Sequence, residues 1–128
     1  MRADALTKMT AAELVDRFVE ISIEQGEALE SLETARFGRL FKKLASVVRE
    51  LRSRSGDQRH LLLQLYEHPD PQVKLNVAGW AYALDPQAAV AAFQAVKESR
   101  QYPWAGHAGM SLSMLEMGLS KLPEDPVI

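Results

Sequence analysis

Apolar positions in the first half of the chain recur at alternating four- and three-residue steps. Leu14, Phe18, Ile21, Gln25, Ala28 and Leu32 make one stripe. Phe37, Leu40, Leu44, Val47 and Leu51 make a second, which Phe41 and Val48 widen. This period is helical. Thr10-Ala11-Ala12-Glu13 has the form of a capping box, in which the Thr hydroxyl and the Glu carboxylate each satisfy a backbone N–H. The second helix starts at Glu33 or Thr34, and Ser53-Arg54-Ser55-Gly56 ends it with Gly56 as a C-terminal cap. Two long helices joined by a short turn must lie antiparallel and bury their stripes against each other.

The second half is written in shorter helices. Asp57 caps a helix carrying Leu61, Leu62, Leu63, Leu65 and Tyr66, dense enough in Leu to predict burial on most sides. Asp70-Pro71 and Asp85-Pro86 each pair an N-cap carboxylate with a Pro at the first helical position, where its missing N–H costs nothing. Between them Val73, Val77, Trp80, Ala81 and Leu84 form an inward face, with Trp80 read as core. After Asp85 come Ala89, Phe93 and Val96. Tyr102-Pro103 breaks the chain. Gly106 and Gly109 then lead into a last helix through Met110, Leu112, Leu115 and Leu119, and Pro123 and Pro126 mark a frayed tail. No segment alternates with period two. The pattern predicts an all-α protein of about six helices.

Composition narrows the class. A chain of 128 residues with 47% hydrophobic and 25% charged residues fits one soluble domain spanning 1–128. Within it, a long hairpin covers about 10–54 and stacked short helices cover about 57–120. The absence of cysteine excludes disulfides, thiolate metal sites and a Cys nucleophile, and fits a cytoplasmic protein. The first ten residues lack a continuous apolar core, so no signal peptide is expected, and no apolar run reaches the roughly 20 residues of a membrane span. A net charge of -2 exerts no overall pull on nucleic acid or acidic lipid.

The segment from about Asp57 to Val96 resembles HEAT and armadillo-type repeats. Asp70, Val73, Lys74 and Ala78 match the repeat's pattern of helix cap, Val, basic residue and small residue, with Lys74 standing where many repeats have Arg; Asp85 opens the partner helix. The resemblance implies an α-α superhelix in which the long N-terminal hairpin covers one end of the stack. The whole chain also resembles a small bacterial family of domains of unknown function. That likeness rests on Gly56-Asp57-Gln58-Arg59, on His68-Pro69 with Gln72-Val73, on Ser99-Arg100-Gln101-Tyr102-Pro103, and on Ala108-Gly109-Met110-Ser111-Leu112. It implies a bacterial helical-repeat domain and carries no catalytic residues.

Candidate chemistry is sparse. Asp16, Glu20, Glu24, Glu27 and Glu30 lie on the first long helix; Arg36, Arg39, Lys42, Lys43, Arg49, Arg52 and Arg54 lie on the second. Cross-helix pairing beside the apolar seam is the favoured reading. A basic stripe for RNA or DNA is the alternative, weakened by the neighbouring acids and the lack of interleaved aromatics. Of the three histidines, His60 has no His partner four residues on, while His68 with Asp70 adjoins a helix cap, so no metal site is expected. His107 with Ser111 and Ser113 is the nearest approach to a catalytic set. Free N–H groups across Gly106 to Ser111, ahead of a helix, are the nearest to an anion site. Neither matches a nucleophile, Walker or dinucleotide motif.

The aromatic and basic residues are more suggestive. Arg59, Arg100, Tyr102, Trp104 and His107 are expected to gather at one end of the stack as a partner-binding surface, since aromatics with Arg make strong interface anchors. The function expected is non-catalytic protein binding, as an inhibitory or adaptor partner of another bacterial protein, without cofactor, metal or membrane. A nucleic-acid-binding repeat using the second helix and a small enzyme near Gly106–Ser113 are the competing readings. The heptad-like stripes also permit a homodimer through the N-terminal hairpin.

Overall fold

The computed structural model describes residues 3–118. Leu119, Pro123 and Pro126 lie outside the described residues. Every regular element among those described is helical: α1 (Ala3–Thr7), α2 (Ala11–Glu30), α3 (Thr34–Ser53), a 3-10 segment (Gln58–Glu67), α4 (Pro71–Trp80), a 3-10 turn (Tyr82–Leu84), α5 (Pro86–Ser99) and α6 (Trp104–Glu116). The chain divides into two compact units, one running to Leu62 and the other beginning at Leu63.

The first unit is the long hairpin with α1. The capping box closes in both directions: Glu13 N–H donates to Thr10 Oγ1 at 3.1 Å, and Thr10 N–H donates to Glu13 Oε1 at 2.8 Å. With the helix start fixed there, Leu14, Phe18, Ile21, Gln25 and Ala28 all turn inward and are buried. They pack against Leu40, Leu44, Val47, Val48 and Leu51 of α3. Arg54 ties α1 to the end of α3, its Nη2 donating to the Leu6 carbonyl at 3.0 Å while its Nε meets Glu50 at 2.9 Å.

Two residues leave the predicted stripes. Leu32 is 86% exposed, because α2 ends at Glu30 in a Schellman turn. Glu33 N–H donates to the Ala28 carbonyl at 2.8 Å and Leu32 N–H to Leu29 at 3.2 Å, which forces Leu32 to a φ of 58°. Phe41 is exposed because it follows Leu40 by one residue, about 100° around the helix. Gly56 lies beyond the cap of α3, which falls at Arg54, and supplies a φ of 79° to the turn closed by Asp57 N–H on the Arg54 carbonyl.

Residues 58–67 form a 3-10 helix rather than the predicted α-helix. A three-residue period eclipses positions three apart, and Arg59, Leu62 and Leu65 are its buried ridge while Leu61 and Leu63 are only half-buried.

In the second unit both Asp-Pro starts form as predicted. Asp70 Oδ1 accepts from Gln72 N–H at 2.8 Å and Val73 N–H at 3.1 Å, and Asp85 Oδ1 accepts from Ala88 N–H at 3.0 Å. Helices α4, α5 and α6 enclose a core of Ala78, Ala89, Phe93, Val96, Ala108 and Leu112. The three alanines are fully buried, so backbones approach closely there. Trp80, at the last residue of α4, is half-buried, and Leu84 beyond it is exposed, because the helix gives way to the 3-10 turn after Trp80. Gly106 and Gly109 are not a loop leading into α6; they lie inside it.

Two substitutions of opposite sign check these ends. Leu32→Gly removes a left-handed, solvent-exposed side chain and is expected to stabilise by about 1 kcal/mol. Asp70→Ala removes the α4 cap and is expected to cost about 1 kcal/mol. Thermal unfolding should show midpoints moved roughly 3–5 °C, up and down respectively.

Candidate functional site

The junction between α5 and α6 is built from local hydrogen bonds. Ser99 Oγ donates to the Val96 carbonyl at 2.6 Å and accepts from Gln101 N–H at 3.2 Å. Arg100 between them takes a left-handed φ of 58° and ends α5. Ala105 N–H donates to the Gln101 carbonyl at 2.7 Å, which begins α6 at Trp104, two residues after Tyr102. Arg100, Tyr102 and His107 are exposed at this junction, Tyr102 at 69%.

Trp104 is held differently. Its indole Nε1–H donates to Gln72 Oε1 at 3.1 Å, and Gln72, buried on α4, in turn donates to Asn76 at 3.0 Å. The ring packs against the core of the second unit and serves to seat α6 on α4. Arg59 belongs to the first unit and is 5% exposed. Its guanidinium grips Asp57 as a fork, Nε at 2.9 Å and Nη2 at 2.6 Å, while its Nη1 is buried without a hydrogen-bond partner. Of the five residues expected to form one surface, Arg100, Tyr102 and His107 share the exposed junction. Trp104 stands behind it as a support, and Arg59 is an internal ion pair.

The start of α6 at Trp104 sets a helical phase that the sequence reading missed. Ala105, Ala108 and Leu112 face inward, so Gly106, His107, Met110, Ser113, Met114 and Met117 face outward. Met110 is 64% exposed, Met114 38% and Met117 62%, at spacings of four and three. This face carries no Asp, Glu, Lys or Arg. The signal that could have found it was the Met110, Met114, Met117 spacing itself, opposite Ala108 and Leu112.

The other candidates lie within helices and turns. His107, Ser111 and Ser113 sit along one continuous helix, and no hydrogen bond joins the histidine to either hydroxyl. His107 N–H donates to the Pro103 carbonyl at 3.2 Å, so the amides from there to Ser111 lie within the helical ladder and form no anion cradle. His68 Nδ1 accepts from Asp70 N–H at 3.0 Å, and His60 Nδ1 donates to the Asp57 carbonyl at 3.0 Å; both histidines serve turns. Among the described residues no group of three or more His, Asp or Glu could hold a metal ion. Nor is any helix there long and apolar enough to cross a membrane. A cavity of about 40 Å³ between Pro69, Pro71 and Lys74 on one side and Val96, Ser99 and Gln101 on the other has room for only a few waters.

Two partly buried groups carry shifted ionisation. The Arg59 side chain, hydrogen-bonded to Asp57, holds the Asp57 carboxyl below its ordinary range against the opposing effect of partial burial. Burial, reinforced by the Asp85 charge, pushes the Tyr66 hydroxyl up to about 12. That hydroxyl is buried without a hydrogen-bond partner.

These features define an all-helical domain whose exposed chemistry lies on helix faces and one interhelical junction. Residues 12–116 match the family described as Domain of unknown function (DUF2019), and the chain belongs to that family. It is 40% identical to the protein RPA1889 from Rhodopseudomonas palustris CGA009, whose crystal structure superposes with a TM-score of 0.82. The match covers 91% of this chain and 96% of that one. The comparison with curated proteins finds no match.

Asp57→Asn keeps a residue suited to the positive φ of 46° but strips the charge from the Arg59 pair. The lowered carboxyl contributes stability above about pH 4 that is lost as pH falls through its folded value. The variant is expected to be about 1–2 kcal/mol less stable at pH 7, less than for a fully buried pair because Asp57 is 39% exposed. Urea unfolding should show the gap closing below pH ~4. Tyr66→Phe removes an unsatisfied hydroxyl and is expected to be neutral or stabilising by up to about 1 kcal/mol. Wild-type stability should fall as pH rises from about 10 through the raised value, and this slope should be absent from the variant.

Proposed function

We propose that this chain is a non-catalytic protein-binding domain whose second unit, built on HEAT-like helix packing, presents the outer face of α6 with Tyr102, Arg100 and His107 to a partner. The observation that carries this reading is the uncharged, methionine-bearing face of α6. A solvated helix normally carries charge outward. Here three methionines take those positions, exposing apolar surface that water does not favour. Methionine is unbranched and polarizable, so such a face adapts to the ridges of an apolar partner helix. Tyr102 at one end adds a large aromatic with few rotatable bonds, and Arg100 supplies charge at the rim.

The occupant this face suits is an amphipathic helix of another bacterial protein, held in an adaptor or inhibitory complex. A cytoplasmic setting suits a chain without thiols. Trp104 and Gln72 contribute by keeping α6 seated, so the face is presented on a rigid element.

Affinity capture from the source cell extract, with nuclease controls, tests the reading. Wild-type protein is expected to retain one specific protein after nuclease treatment. Met110→Glu with Met114→Glu should weaken that retention at least about 100-fold, since a charge buried in an apolar contact goes unpaired, while the circular dichroism stays unchanged. Equal retention by the variant, or retention of nucleic acid alone, would contradict it.

A further inference from the structure

The charges of the first unit are less paired than the hairpin's sequence predicts. Across the two helices Arg36 makes salt bridges, at 3.9 Å to Glu24 and 3.6 Å to Glu27. Arg54 is taken by Glu50 at 2.9 Å. Arg39, Lys42, Lys43 and Arg49 are exposed on the outward face of α3 and reach no carboxylate among the described residues. Between Glu33 and Glu50 the chain has no acidic residue, so this face repels itself, with Arg39 three and four residues from Lys42 and Lys43. The outward face of α2 is the reverse. Asp16, Glu20 and Glu27 are exposed along it, with Ile23 among them. Glu20 and Glu27 have only exposed pairs, at 3.4 Å to Arg17 and 3.6 Å to Arg36.

The two rows match in length. At 1.5 Å per residue, Asp16 to Glu27 spans ~16 Å and Arg39 to Arg49 spans ~15 Å. Each has a neutral residue within it, exposed Ile23 on one and the small Ser46 on the other. Glu27 reaches α3 at Arg36 beside the turn, but the two rows do not pair with each other within one chain, since each lies opposite the stripe its helix buries against the other.

We propose that the basic face of α3 docks on the acidic face of α2 in a second copy of this chain. The contact is heterologous: every copy that uses its α3 face still offers its α2 face, so assembly continues to a ring or an open chain. It rests on exposed ion pairs, which are individually weak and screened by salt, so it forms at high protein concentration and low ionic strength. This inference is independent of the α6 reading, which concerns the other unit.

Sedimentation velocity on the full chain at roughly 0.01–1 mM protein tests it. Wild type is expected to self-associate at about 50 mM salt, with association at least about ten-fold weaker at about 300 mM. Lys42→Glu with Lys43→Glu destroys the basic face, and Asp16→Lys with Glu20→Lys destroys the acidic one; each variant alone should be monomeric. Mixed, they should associate again, since the intact faces pair and the two reversed faces are also of opposite sign. Lys42→Gln with Lys43→Gln should also be monomeric and guards against misfolding of the charge-reversed form. A wild-type monomer at every concentration and salt would overturn the proposal. So would variants that associate like wild type, or a basic face that binds nucleic acid while the protein stays monomeric.

Discussion

Where each helix starts decides which residues it buries, and in this chain the starts are fixed by a few hydrogen bonds. A shift of one residue turns a helix face by about 100°, enough to move a side chain from core to solvent. The Thr10–Glu13 box sets α2, and the Asp70 and Asp85 carboxylates set α4 and α5. Ala105 N–H on the Gln101 carbonyl sets α6. The buried alanines Ala78, Ala89 and Ala108 then let the second unit close around Phe93 and Val96. The outward faces of α2 and α6 are the complements of phases fixed in this way.

The two units leave different surfaces over. In the first, packing along Leu14, Phe18 and Ile21 against Leu40, Leu44 and Val47 leaves acids outward on α2 and bases outward on α3. In the second, packing along Ala105, Ala108 and Leu112 leaves Met110, Met114 and Met117 outward. Charge gives long-range, salt-sensitive attraction; an adaptable apolar face gives short-range affinity. Polar side chains also hold the second unit together: His68 bonds the Asp70 turn and Gln72 the Trp104 indole.

The sequence made much of the fold legible because side-chain caps are local. Thr10 with Glu13, Asp70 with Pro71, and Asp85 with Pro86 each declare a helix start within a few residues, and all three form. What it hid was non-local or subtle. Nothing in the Leu-rich run 58–67 distinguishes a 3-10 from an α-helical period until the burial of Arg59, Leu62 and Leu65 is seen. The start of α6 depends on backbone bonding across Tyr102-Pro103, so Gly106 and Gly109 read as leading into the helix rather than lying inside it. Arg59 looked like an anchor because its pairing with Asp57 needs the Asp57 backbone at positive φ. Of the proposed surface, Arg100, Tyr102 and His107 were named from sequence, and the methionines beside them emerged only with the phase of α6.

The outer face of α6 as a protein-docking surface is the central claim, and its own methyl groups report on it most directly. With methyl-labelled methionine, the resonances of Met110, Met114 and Met117 can be followed by NMR as the captured partner is titrated in. The expected result is that these three methyls shift or broaden with the partner while Met9, in the first unit, stays in place. Perturbation of Met9 with the three α6 methyls unmoved would contradict the account.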